Sequence, residues 1–118
     1  MKTKLLLATS VLLAQIAIAQ NMDPKEMAAY QDKIMFERLD LSEQQQEQIT
    51  EHNVKFSEKQ AALMNREGSM FGKMGDIKKI KKERSAELKK ILSKEQLEIF
   101  EDEIAPEIRS YMRSKMKG

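Results

Sequence analysis

Two five-residue stretches, Leu41-Ser42-Glu43-Gln44-Gln45 and Leu92-Ser93-Lys94-Glu95-Gln96, decide the fold of this 118-residue chain. In each stretch, the serine hydroxyl can accept a hydrogen bond from the backbone amide three residues later. The side-chain oxygen of the glutamine at that later position can accept one from the amide of the serine. This reciprocal capping box marks the first turn of a helix, so the two stretches predict helices that begin at Ser42 and at Ser93.

The composition of the rest of the chain favours helices as well. Good helix formers such as Glu, Lys, Gln, Met, Leu and Ala dominate, whereas the 118 residues include only four glycines and two prolines. No stretch alternates between apolar and polar residues with the period of two that a strand requires. We therefore predict an all-α protein with about four helices.

The first two helices are bounded by clear signals. Asp23 as N-cap and Pro24 at the first helical position start a helix that should run to about Leu39. The helix that begins at Ser42 should end at Gly68, where a left-handed cap is favoured. The residues predicted to face the core from these two helices are Met27, Ile34, Met35, Leu39, Ile49, Phe56 and Leu63.

The second half of the chain begins with a glycine-rich stretch, residues 68–75, which we expect to form a mobile loop. It does not fit a phosphate-binding P-loop, because its glycine spacing is one residue short and Met74 stands where Ser or Thr is needed. A third helix is predicted from about Asp76. Its apolar face is interrupted by Arg84 and consists of Ile77, Ile80, Leu88 and Ile91.

The fourth helix, which begins at Ser93, contains a proline. Leu97, Phe100 and Ile104 share one face, and the same spacing continues beyond Pro106. The helix should therefore either kink at the proline or restart there. We expect the basic residues 113–118 to fray.

The first nineteen residues are predicted to be a cleavable signal peptide. Lys2 and Lys4 precede an apolar run over residues 5–19, which ends in Ala17-Ile18-Ala19, so that signal peptidase should cleave after Ala19. The alternative, a transmembrane anchor, needs about 20 apolar residues, and the run is shorter than that. We expect a periplasmic protein in which residues 20–118 form a single helical domain, with no membrane insertion after cleavage.

The charged and reactive residues exclude several functions. The balance of 21 basic and 19 acidic residues disfavours nucleic-acid binding. With no cysteine and one histidine, and with carboxylates on outward helix faces, we predict no catalytic residues, no enzyme activity and no cofactor. His52 is a weak metal candidate, with Glu51 or Glu58 as helpers, because zinc sites usually gather three or four ligands.

The two Leu-Ser-x-x-Gln stretches resemble the Leu-Thr-x-x-Gln motif that occurs twice in the Spy/CpxP family of periplasmic stress-response proteins. Serine in place of threonine keeps the capping hydroxyl. The resemblance implies a thin, curved, hairpin-type helical protomer, an antiparallel homodimer and ATP-independent chaperone activity. It also allows metal binding or the regulation of an envelope-stress sensor kinase, because a fold alone does not decide function. The matching residues are Leu41, Ser42, Gln45, Leu92, Ser93 and Gln96.

We expect an ATP-independent chaperone for unfolded or aggregation-prone proteins, with metal binding or sensor-kinase regulation as the alternative. Such a chaperone needs adaptable apolar contacts beside charges that attract its clients. The methionines could also bind Cu(I), and the lysines could be an ordinary solvated face. A homodimer is expected because four narrow apolar faces bury little area in a lone protomer. The candidate client-binding residues are Met64, Met70, Phe71, Met74, Lys78, Lys81 and Lys82.

Overall fold

The computed structural model describes residues 23–117, which form four helices and no strand. The predicted signal peptide, residues 1–19, lies outside the described residues. Within them, no helix is long and apolar enough to cross a membrane. The all-α prediction is confirmed. The helices are α1 (Pro24–Arg38), α2 (Glu43–Asn65), α3 (Met70–Ile91) and α4, which comprises Lys94–Ile99, a π-helical turn at Phe100–Ile104 and Ala105–Lys117.

The predicted helix starts at Asp23, Ser42 and Ser93 are confirmed in atomic detail. The side chain of Asp23 accepts a hydrogen bond from the amide of Lys25 at 3.0 Å. Ser42 and Gln45 form a complete capping box, and so do Ser93 and Gln96. Both serines have φ −67° and ψ 164°. The two Leu-Ser-x-x-Gln stretches therefore adopt the same local conformation.

All four helices contribute to one apolar core. Helix α1 packs along α2, α2 packs along α3, and the π-helical turn of α4 also contacts α1. Leu41 and Leu92, the leucines of the two motifs, are both buried in this core. The residues predicted to be buried on α1 and α2 are buried, whereas Ile77, Ile80 and Ile91 of α3 are only half-buried. The main core cluster is Ile34, Met35, Leu39, Leu41, Ile49, Leu88, Leu92, Phe100, Ile104 and Ile108.

The expectation of a mobile loop over residues 68–75 is wrong for residues 70–75, because α3 begins at Met70. The hydroxyl of Ser69 caps this helix by accepting a hydrogen bond from the amide of Gly72 at 3.1 Å. The buried ammonium of Lys73 donates to the backbone carbonyls of Met64 and Arg66 at the end of α2. A serine cap and a tether to the end of α2 thus stabilise helix in a stretch whose glycines suggested a loop.

Helix α4 neither breaks nor restarts cleanly at Pro106. The turn before it widens to a π-helix, in which the amide of Ala105 donates to the carbonyl of Phe100, five residues earlier. Proline has no amide hydrogen to contribute to a regular helical hydrogen bond. The helix then continues to Lys117. The wider turn lets one helix run through the proline.

Residues 113–117 continue α4 as helix, contrary to the expectation that residues 113–118 fray, and the contacts of this end with α1 extend to Lys115. The rings of Tyr30 and Tyr111 stack with centroids 3.8 Å apart and planes 7° from parallel. The hydroxyl of Tyr111 donates to Glu26 at 3.1 Å, and Lys115 forms an ion pair with the same carboxylate. These bonds, that of Lys115 first, lower the pKa of Glu26.

Candidate functional site

The glutamines of the two motifs meet at the junction of the four helices. The side-chain amide of Gln45 donates to the side-chain oxygen of Gln96 at 2.8 Å and to the carbonyl of Ile91 at 3.0 Å. In return, the amide of Gln96 donates to the carbonyl of Asp40 at 3.0 Å and to Gln45 at 3.4 Å. Ile91 and Asp40 each precede the leucine of a motif, so the arrangement is reciprocal.

This glutamine pair fixes where the chain turns. Each side-chain oxygen also accepts the bond from its own serine amide, at 3.0 Å for Ser42 and 2.9 Å for Ser93. Every polar atom of the two half-buried side chains therefore has a partner within the protein. The pair ties the start of α2 to the start of α4. The residues of the two motifs are thus structural in this protomer.

An open groove of about 590 Å³ lies between α3 and α4, above the end of α2. Helix α3 packs closely along α2 and contacts α4 mainly over its first half, which leaves this space beside the rest of α4. The groove walls are mainly apolar. The apolar lining residues are Leu63 and Met64 of α2, Met70, Ile77 and Ile80 of α3, and Phe100, Ala105, Ile108 and Met112 of α4.

The charged residues of the groove are mostly basic. Lys81, Arg84, Arg109 and Arg113 line it, against the single carboxylate of Glu101. None of these four cations forms an ion pair with a residue that the structure describes. The groove therefore combines apolar walls with an excess of positive charge, which suits apolar segments that carry negative charge.

Arg84, which interrupts the apolar face of α3, lines this groove and is only 7% exposed. Its Nη2 donates to the side-chain oxygen of Asn53 at 3.1 Å. Its guanidinium carbon lies 5.0 Å from the centroid of the Phe100 ring, a distance at which a cation is attracted to the ring face. Burial lowers the pKa of Arg84 to about 10, so the side chain is still a cation at neutral pH.

The predicted client-binding residues are divided between two surfaces. Met64, Met70 and Lys81 line the groove. The other four lie on the exposed part of α3, where Phe71 is 89% exposed. Phe71 shares one helix face with Lys78 and Lys82, through spacings of seven and eleven residues. Met74 lies four residues after Met70 and is half-exposed.

Sequence reasoning missed the wall of the groove that α4 provides. Phe100, Ile104 and the apolar residues beyond Pro106 were interpreted only as a core face, and Arg113 as part of a fraying end. Arg109 and Arg113 are four residues apart, so they lie on one side of α4. This spacing of two arginines, next to the apolar residues Ile108 and Met112, is the sequence signal that could have indicated a basic and apolar surface on α4.

His52 is a buried core residue and not a polar surface residue. It is 1% exposed, its ring lies 4.6 Å from that of Phe56, and its Nδ1 is 3.3 Å from a carboxylate oxygen of Glu87. Burial, followed by the charge of Arg84, lowers the pKa of His52 to about 4. Glu51 and Glu58 are exposed. In the described part of the chain, no group of three or more His, Cys, Asp or Glu side chains could hold a metal.

Comparison with known proteins gives one match. The model of a family described as "Domain of unknown function (DUF4890)" matches residues 14–100. This range includes both Leu-Ser-x-x-Gln stretches and ends where the π-helical turn of α4 begins. No curated protein and no solved structure matches the chain.

Proposed function

The chain belongs to the DUF4890 family, and from its groove we propose that it is an ATP-independent periplasmic chaperone that holds unfolded proteins. The observation that carries this proposal is the open, apolar groove between α3 and α4 with its excess of basic side chains. Unfolded clients expose the apolar segments that such a groove can bury. Burial of apolar area is the main favourable contribution to such association.

The chemistry of the lining suits many different clients. Three of the apolar lining residues, Met64, Met70 and Met112, are methionines. Methionine side chains are unbranched and polarizable, so they adapt to partners of different shape. The unpaired cations around them would attract acidic chains over several ångströms and would lose that attraction as salt is added. Promiscuous, salt-sensitive binding is what a holding chaperone needs.

Two sequence features support the finer parts of the proposal. The predicted signal peptide supports a periplasmic location, and the paired Leu-Ser-x-x-Gln motif resembles that of the Spy/CpxP family. We include an antiparallel homodimer in the proposal, for which Phe71 and Met74 offer exposed apolar contacts. Metal binding at His52 has less support, because this side chain is enclosed by Phe56 and Glu87.

The test is the suppression of aggregation of a chemically denatured client by the mature protein, without nucleotide. We expect suppression at near-stoichiometric ratios. Ile77→Glu, which places a charge on the half-buried groove wall, should weaken suppression about tenfold, because loss of one apolar contact and burial of a charge cost more than 1.4 kcal/mol. Val54→Glu is the matched control, since Val54 is 44% exposed on α2 and does not line the groove.

The proposed function is refuted if the unmodified protein does not suppress the aggregation of several unrelated clients at low and at moderate salt. Equal activity of Ile77→Glu and Val54→Glu, both shown to be folded by circular dichroism, would show that clients bind elsewhere. Sedimentation of the unmodified protein as a monomer across the assay concentrations would refute the homodimer and leave the chaperone activity to be judged separately.

A further inference from the structure

Arg84 is a buried cation without a carboxylate partner among the residues that the structure describes. Such an arrangement is unusual, because a buried charge is costly unless it is paired. The bond to Asn53 satisfies Nη2 only, and Nε of the guanidinium has no hydrogen-bond partner. Nε is enclosed by the protein, so a ligand in the groove would meet the Nη1 and Nη2 end of the guanidinium.

The surrounding hydrogen bonds hold this guanidinium in place without neutralising it. The amide nitrogen of Asn53 donates to Asp32 at 2.7 Å, while its oxygen accepts from Arg84 at 3.1 Å. Asp32 thus orients the asparagine, and a neutral amide separates its charge from that of the arginine. On the other side, the ring of Phe100 packs 5.0 Å from the guanidinium. Arg84 is thereby fixed in orientation but not paired with an anionic side chain from the described part of the chain.

We propose that Arg84 binds the side-chain carboxylate of an aspartate or glutamate that lies within an apolar segment of an unfolded client. This inference rests on the proposed function and assigns a specificity to the same groove. A guanidinium presents parallel N–H donors that match the two oxygens of a carboxylate. The apolar walls on either side, formed by Ile77, Ile80 and Ile108 among others, bury the neighbouring residues of the client.

The composition of the groove explains why the ligand is a carboxylate on an apolar chain and not a small free anion. A free anion would lose its hydration on binding beside Phe100 and would gain no apolar contact in return. An apolar segment with one carboxylate gains both the contact with the walls and the charge-assisted hydrogen bond. Lys81, Arg109 and Arg113 at the groove increase the rate of encounter with acidic segments.

The test uses two fluorescently labelled, unstructured apolar peptides that are identical except for one central residue, glutamate in one and glutamine in the other. Binding to the full mature protein is followed by fluorescence anisotropy. The glutamate peptide should bind about tenfold more tightly, as expected for one charge-assisted hydrogen-bonded pair. In Arg84→Gln, which can still donate to Asn53, this preference should fall to about twofold or less.

Two comparisons separate Arg84 from the basic residues around it. Arg84→Lys, which retains the charge, should keep part of the preference, and Lys81→Gln should lower the affinity for the glutamate peptide mainly at low salt. Equal affinity of the unmodified protein for the two peptides would overturn the assignment of Arg84 while leaving a chaperone groove intact. Binding of neither peptide would overturn both the groove and this assignment. Because the first comparison needs no variant, the proposal can be refuted even if Arg84→Gln is unfolded.

Discussion

At the scale of single residues, two glutamines perform two tasks each. Gln45 and Gln96 complete the capping boxes of their own helices and also hydrogen-bond to one another across 51 positions of sequence. A serine-glutamine box needs only local contacts, so the motif is recognisable from sequence. The second task explains why glutamine suits these positions better than glutamate, since only the amide can both accept and donate.

We predict that Gln45→Glu destabilises the protein by about 2 kcal/mol, because the carboxylate cannot donate to the carbonyl of Ile91 and would face the side-chain oxygen of Gln96 with no hydrogen between them. Gln96→Glu should have a similar effect, and the double variant should be non-additive, as expected for residues in direct contact. The measurement is urea unfolding followed by circular dichroism. Gln44→Glu is the control, since the side chain of Gln44 is exposed. A loss as large in Gln44→Glu would exclude a specific role for the pair.

At the scale of elements, the most informative difference from expectation is the start of α3. Glycine content predicted a mobile loop over residues 68–75, but the loop between α2 and α3 is confined to residues 66–69. Gly68 alone has a positive φ among the described residues, at +119°. Gly72 and Gly75 lie within the helix. Two of the three glycines therefore have no conformational reason to be glycine.

We therefore predict that alanine substitutions at two of these glycines change the stability of the protein in opposite directions. Gly75→Ala should stabilise the protein by roughly 0.5–1 kcal/mol, because alanine has the better helix propensity and its Cβ would meet no atom within 4 Å. Gly68→Ala should destabilise it by about 1–2 kcal/mol, because an L side chain is strained at positive φ. Thermal unfolding of both variants measures the difference. No stabilisation in Gly75→Ala would mean that residues 70–75 are not helical in solution.

At the scale of the whole molecule, polar contacts connect helices that are distant in sequence. Tyr111 and Lys115 fasten the end of α4 to Glu26 on α1. His52 on α2 faces Glu87 and Arg84 of α3 and Phe56 of its own helix, with Lys55 on the other oxygen of Glu87. Because His52 is buried between helices, its ionisation is coupled to global unfolding.

We predict that the unfolding free energy decreases as the pH falls from about 6.5 to 4. In the unfolded chain His52 takes up a proton near pH 6.5, whereas in the folded protein its pKa is lowered to about 4 by burial and by Arg84. Stability is therefore complete above pH 6.5 and decreases by roughly 2–3 kcal/mol towards pH 4. The lowered pKa values of Glu26 and Glu87 act in the same direction, but only below about pH 4.5.

Urea unfolding at several pH values between 7 and 4.5 measures this dependence. His52→Gln, which does not titrate, should be nearly independent of pH over that range, even if it is less stable overall. The same slope in His52→Gln and in the unmodified protein would show that other groups cause the loss.

The sequence by itself determined the features that depend on neighbours within one or two helical turns. The all-α class, the start of α1 and the starts of the two helices at Ser42 and Ser93 all follow from such local hydrogen bonds and apolar spacing. The core faces of α1 and α2 follow from the same periodicity. The predicted signal peptide and the resemblance to Spy/CpxP proteins also rest on local sequence, and both stay predictions.

Only the tertiary structure decided what those helices face. Gln45 pairs with Gln96 across 51 positions of sequence. The groove between α3 and α4 depends on how these helices diverge. The bonds from Lys73 to the end of α2 depend on how the chain turns between the two helices. Arg84 shows the reason most clearly. From its position in an apolar stripe it is only an anomaly, because the cost of a buried charge depends on which partners the other helices bring to it. The other helices place an asparagine and an aromatic ring beside Arg84, which lines an open groove. No carboxylate among the described residues forms an ion pair with it.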